Sequence, residues 1–148
     1  MSYLIHTEID IDAPRQLVWD VLVDLDRHTD WNPFIRKIEG TIGPGEKLHM
    51  EPRTDDGRDH AFDPVVTEYV AGKSFAWTGN VLHRLIASGI HRFDLEDLSD
   101  GRCRVHHDEI FSGLLLPITI LYAGGKTRRG FEEMNVALKG EVESRATA

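Results

Sequence analysis

Cysteine is nearly absent from this chain. Cys103 is the only one, which excludes an internal disulfide framework and any zinc cluster built on several thiolates. It falls in a strand pattern, where a buried, inert thiol is expected and no chemistry is assigned to it. No stretch is apolar for long enough to span a bilayer, and Met1-Ser2-Tyr3-Leu4-Ile5-His6 carries neither a basic segment nor a continuous apolar one. Membrane insertion is therefore not expected, and a cytoplasmic location is. Positive charge is scarce: 17 Lys and Arg against 25 Asp and Glu give a formal charge of −8, with no basic cluster. Such a field repels nucleic-acid phosphates and anionic headgroups, so neither is an expected partner.

Several motifs are also missing. There is no Gly-rich phosphate loop, no Gly-x-Ser-x-Gly nucleophile turn and no His-Glu-x-x-His zinc helix. No cofactor is expected and no metal site is assigned. The acidic run Asp55-Asp56-Gly57-Arg58-Asp59 lacks the spaced ligands and closing Glu of a calcium loop and reads as a solvated hairpin tip.

The 148 residues, 41% hydrophobic, suit one domain with a single core. Residues 3–11 alternate, with Ile5, Ile9 and Ile11 on one face and His6, Glu8 and Asp10 on the other, as in a half-buried strand. Pro14 suits a first helical turn, and Val18, Val21, Leu22 and Leu25 continue at helical spacing, which predicts a helix over 14–26. Any short helix over 26–31 must stop at Asn32, because the following Pro33 disfavours helical geometry there. Trp31 and Phe34 anchor the turn into a sheet, and Trp19 and Trp31 pack the first helices on its rim.

Turn signals then delimit strands near 35–42, 46–51, 60–70, 73–79, 85–96 and 102–112. No helix-length stretch separates them, so the sheet is antiparallel. From residue 114 an apolar run leads into the stripe Phe131, Met134, Leu138 and Val142. This predicts a long closing helix whose centre, at Gly124-Gly125, is irregular or closely approached. No internal repeat is present.

The order β-α-α-β6-α carries a resemblance. Ala13-Pro14 followed by Val18-Trp19, then Trp31-Asn32-Pro33-Phe34, and the strand end His107-x-Glu109-x-Phe111-x-Gly113 resemble the START-like (SRPBCC) superfamily, in particular its polyketide cyclase/dehydrase-type small bacterial proteins. The resemblance spans nearly the whole chain and rests on fold signatures rather than catalytic motifs. It implies an α+β helix-grip (Bet v 1/START-like) fold: a seven-stranded curved antiparallel sheet around a long C-terminal helix, with a ligand cavity between them. The functions it implies range from carriers and sensors to aromatase/cyclases and co-chaperones.

Chemistry concentrates on one predicted hairpin. Pairing Glu96 with Arg102 across a five-residue turn sets Leu95 opposite Cys103, Phe93 opposite Val105 and His91 opposite His107. His91, His107 and Glu109 then share a face with Phe93, Leu95, Cys103, Val105 and Phe111, with opposite residues about 5 Å apart. Three readings of the trio stay open: a two-His, one-carboxylate metal site, a general acid/base group, or a polar network that orients a ligand. His106 must point to the other face and is solvated beside Arg104 and Asp108. Phe75 and Trp77 alternate on one strand face, and the helical stripe brings Phe131 and Met134 toward the sheet.

The leading expectation is a single domain, 1–148, that binds a small hydrophobic or amphiphilic molecule. Trp77, Gly89, Phe93, Phe111, Phe131 and Met134 form the wall, and His91, His107 and Glu109 orient the polar end. An alternative is a polyketide cyclase/dehydratase-type enzyme in which His107 and Glu109, with His91, move protons. A third is a protein-interaction module, whose mark would be a cavity filled solid by side chains. A monomer or homodimer is expected.

Overall fold

The alternation at the start of the chain folds as β1, Ser2–Ile11, with Ile5, Thr7 and Ile11 buried. The structure is a computed structural model and describes residues 1–53, 61–81, 83 and 85–148. The acidic run at 55–59 lies outside the described residues.

Pro14 is extended and caps the next helix rather than entering its first turn. Its carbonyl accepts from the Leu17 and Val18 amides, opening α1, Arg15–Val23. The predicted helix over 14–26 therefore ends three residues early, and a 3-10 turn, Leu25–Arg27, carries the chain into α2, His28–Trp31. Asn32 stops α2 in extended geometry, and its Oδ1 accepts from the Phe34 amide at 2.9 Å. Trp19 lies edge-on against Tyr69 and Phe75 of the sheet, and Trp31 packs on the His28 ring.

Among the described residues six further strands follow: β2 Ile35–Glu39, β3 His49–Pro52, β4 Val65–Val70, β5 Ser74–Val81, β6 Ala87–Asp97 and β7 Cys103–Ser112. They form a five-stranded ladder, β1-β7-β6-β5-β4, and a two-stranded one, β2-β3, both antiparallel. Bridges from Lys47 to Val65 and from Met50 to Phe62 tie the two ladders together. The strand predicted over 60–70 starts regular pairing only at Val65. Pro64 has no N–H to give, although its carbonyl accepts from Leu48.

The β6–β7 hairpin corrects the predicted register. Ser99, Asp100 and Gly101 make the turn, Gly101 at φ +82° supplies the left-handed residue, and Leu98 donates to the Arg102 carbonyl at 2.9 Å. The pairing slides by two residues: His91 stands opposite Glu109, not His107, and Phe93 opposite His107, not Val105. A two-residue slip keeps every side chain on its predicted face and changes only its neighbour.

The closing helix α3, Leu116–Ala146, runs unbroken through Gly124-Gly125. A Cβ at Gly124 would touch only Ile120, at 3.8 Å, and one at Gly125 would meet nothing, so the expected close approach is not there. It occurs at Gly130, where a Cβ would sit 2.6 Å from the Phe34 ring. The stripe is as predicted: Phe131, Met134, Leu138 and Val142 are buried against the sheet.

Candidate functional site: an acid at the wall of an apolar cavity

Between α3 and the concave sheet lies a cavity of about 550 Å³. Trp77 and Gly89 line it from β5 and β6, Phe111 from β7, and Phe131 and Met134 from α3. Met50 of the second ladder, with Phe34 just before it and Phe62 bridged to Met50, closes another side. That volume is in the range of small-molecule sites, and the wall is apolar with few polar groups, as such sites are. Phe34 and Phe131 meet edge to face at 6.0 Å.

Two polar side chains of the predicted trio reach the cavity, Glu109 and His91. Phe93 and His107 do not line it. His107 is fully buried behind the wall, sandwiched between Phe93 and Phe131 with ring centroids 4.2 and 3.9 Å away. His91 stacks on Trp77 at 4.6 Å. Gly89 lies against the Glu109 carboxyl, where any Cβ would collide with Oε1.

These groups form one hydrogen-bonded chain whose direction is set by its inner end. A carbonyl only accepts, so Thr7 Oγ1 gives its single proton to the His107 carbonyl, 2.8 Å away. Asn135 Nδ2 donates to Thr7 Oγ1 at 3.0 Å, which leaves Asn135 Oδ1 to accept from His107 Nδ1 at 2.7 Å. The neutral His107 then carries its lone pair on Nε2 and accepts from His91 Nε2 at 2.9 Å. His91 in turn presents a bare Nδ1 to Glu109 Oε2, 3.1 Å away. Only a protonated Glu109 completes the chain with every member neutral.

Electrostatics favours that state. Burial pushes the Glu109 carboxyl up to about 8. It also holds His91 down at about 3 and His107 well below its ordinary value. Charging any of the three costs the hydration that the cavity wall has removed. The Glu109–His91 contact is therefore a neutral hydrogen bond rather than an ion pair. Both nitrogens of both rings are engaged within this chain, leaving no imidazole lone pair for a shared ion.

The sequence reading missed Asn135 and Thr7. Each is a polar residue on an otherwise apolar stripe, Thr7 among Ile5, Ile9 and Ile11, and Asn135 among Phe131, Met134, Leu138 and Val142. That anomaly was the available signal. Met50 comes from the second ladder, Phe34 from the residue before it and Phe62 from the bridge to Met50, and no local pattern announces their approach.

The sequence matches, over residues 4–143, the family described as polyketide cyclase/dehydrase and lipid transport. The chain belongs to that family. The START-like resemblance and the helix-grip fold are thereby shown, and solved structures agree. Protein NE0264 from Nitrosomonas europaea is 15% identical, with a TM-score of 0.77 over 98% of this chain and 97% of that one. The Zhui aromatase/cyclase from Streptomyces sp. R1128 is 19% identical, with a TM-score of 0.71 over 99% and 96%. Norcoclaurine synthase from Thalictrum flavum is 14% identical, with a TM-score of 0.74 over 97% and 88%. At these identities the likeness concerns the fold alone. No curated protein sequence matches this family member. Among its described residues, no helix is long and apolar enough to cross a membrane.

Proposed function

We propose that this protein binds a small, largely apolar molecule in the cavity, with the molecule's oxygen-bearing end at Glu109. The observation that carries the reading is a buried carboxyl on an apolar wall, bonded through Oε2 to His91. Oε2 is held by His91, so Oε1 is the atom left to meet a ligand hydroxyl or enol. Trp77, Phe111, Phe131 and Met134 supply apolar contact, and His107 and Asn135 act through His91 by holding its tautomer. Family membership supports this class of ligand. The test is native mass spectrometry of gently purified protein, followed by denaturing extraction. A discrete extra mass, absent in Gly89→Phe, is expected; wild-type and variant carrying the same mass would overturn the assigned wall.

One observation favours a second reading, an enzyme of the cyclase/dehydratase type: the Glu109 value of about 8 lies close to neutral pH, where an acid both gives and regains a proton efficiently. In a dehydration, the Glu109 O–H leaves its bond to His91 Nδ1, turns to the departing hydroxyl and gives up its proton as the C–O bond breaks. The carboxylate left behind takes the proton from the neighbouring carbon, whose electron pair forms the new C=C bond. Water leaves, and Glu109 ends protonated as it began. Glu109→Gln preserves a donor toward His91 Nδ1 but cannot ionise, so it should retain ligand while turnover falls at least 100-fold. Equal loss of both, or neither, would favour the carrier.

A further inference from the structure

The convex face of the sheet, opposite the cavity, carries a second polar cluster. His6 and Glu8 sit two apart on β1, and His106 lies opposite Glu8 on β7. All three are at the surface or half-buried. Glu8 Oε2 is 3.3 Å from His6 Nε2 and 3.5 Å from His106 Nδ1. The three ligand atoms all lie within 4.8 Å of one another.

The outer nitrogens decide what this cluster is. His6 Nδ1 is bonded to Asp108 at 2.5 Å, and His106 Nε2 to Glu96 at 2.8 Å. In its neutral form each ring gives its one N–H to the carboxylate at its outer nitrogen and turns a bare lone pair toward Glu8. Two imidazole lone pairs and a carboxylate oxygen then converge, and three acceptors cannot satisfy one another. What stands among them is bridging water, two added protons or one divalent cation. The spacing fits the cation. Ligands at about 2.0–2.1 Å from a tetrahedral zinc lie roughly 3.3 Å apart, close to the two Glu8 contacts of 3.3 and 3.5 Å, and the two ring nitrogens lie within 4.8 Å of each other, their rings 27° from parallel. Carboxylates on the outer nitrogens of ligating histidines are also the usual outer support of such sites.

Neighbouring charges do not fill the place. Arg104, next along the same face of β7, is engaged by Asp10 through two hydrogen bonds of 2.7 and 3.1 Å. On β6, Asp94 stands opposite His106 and Arg92 opposite Asp108. Arg92 lies 3.6 Å from Glu68 and 4.0 Å from Asp94, so the carboxylates of Glu8, Glu96, Asp94 and Asp108 outnumber the cations beside the two rings.

We infer that His6, Glu8 and His106 form a surface site for a zinc-type divalent cation, with Asp108 and Glu96 orienting the two rings and water completing the coordination. The ion would staple the edge strand β1 to β7.

The test is calorimetric titration of chelator-treated, full-length protein with zinc chloride. One ion per chain is expected, with affinity reduced at least tenfold in His6→Ala and in His106→Ala, and unchanged in His83→Ala, an exposed histidine elsewhere. Far-UV circular dichroism checks that these surface variants fold. Long-range ¹H–¹⁵N spectra should show zinc shifting His6 Nε2 and His106 Nδ1 specifically. No saturable binding, binding that survives both substitutions, or binding lost in His91→Ala instead would overturn the site. An ion-pair network held by protons alone gives the first of these results.

Discussion

His107 and Asn135 are joined by a 2.7 Å hydrogen bond inside the core, 28 residues apart in sequence. That bond transmits a constraint from a backbone carbonyl to the cavity. Because Thr7 can donate only to the His107 carbonyl, Asn135 must accept from His107 Nδ1, and each later tautomer follows. Glu109 holds a proton for the same reason that Thr7 has only one to give. Losing that proton without charging His91 would require the whole chain to reverse and the Thr7–carbonyl bond to break.

Asn135→Ala leaves the His107 Nδ1–H without an acceptor in a fully buried place. The expected cost is about 1–3 kcal/mol, read from urea denaturation. Asn135→Asp should behave differently: a buried carboxylate at that position favours a second proton on His107, whose imidazole resonance would then titrate at higher pH. A loss below ~0.5 kcal/mol in Asn135→Ala would show that the bond holds nothing in place.

The pH dependence of stability follows from opposing shifts. His91 falls from 6.5 to about 3, and His28, buried beside Trp31, from 6.5 to about 4. The unfolded chain binds these protons and the folded one does not, so these groups make stability rise with pH up to about 6.5. Glu109 rises from 4.5 to about 8. The fold keeps this proton where the unfolded chain has lost it, so its contribution falls from pH 4.5 to about 8. Below 6.5 the two trends compete. Between 6.5 and 8 the Glu109 decline remains, at most about 1.4 kcal/mol per pH unit. His6, raised mainly by its bond to Asp108, adds to the decline in that range. Glu109→Gln should flatten the part due to Glu109; chemical denaturation at pH 6.5, 7.25 and 8 measures it. Parallel curves for variant and wild-type would mean that Glu109 is already ionised at pH 6.5.

Gly89→Ala tests the contact between Gly89 and the Glu109 carboxyl. Its Cβ must displace Oε1, and because the obstacle is the free end of a side chain, the fold should survive. Ligand affinity is expected to fall about tenfold, with a smaller change in the melting temperature than Asn135→Ala produces. Isothermal titration with an extracted or surrogate ligand reads the first, and calorimetry the second.

Cys103 should be chemically silent. It is completely buried, paired with Ile11 across β1–β7, and burial lifts its thiol to about 11. A thiol-specific chromogenic reagent should leave it unmodified in native protein and label one thiol per chain after denaturation. Rapid native labelling would reveal local opening of the strand.

Much of the fold is written locally. Period-two alternation in 3–11, the helical stripe ending at Val142, and the Pro33 stop define strand, helix and break from neighbouring residues alone. The face that His91, His107 and Glu109 share was legible for the same reason, since a strand's alternation survives any even slip of register. Their partners were not. Whether His91 faced His107 or Glu109 depended on one turn, the one that places Gly101 at positive φ. Asn135 and Thr7 meet His107 only because α3 packs across β1 and β7, and Phe34 enters the cavity wall only because Gly130 leaves room for its ring. Proton positions follow those long-range contacts, since a titratable group responds to what surrounds it in space. The chain's own pattern thus determined the elements, their faces and the apolar character of the interior. Tertiary packing alone decided which imidazole nitrogen faces which oxygen, that a cavity survives beside Glu109, and that two histidines and a glutamate converge on the outer face.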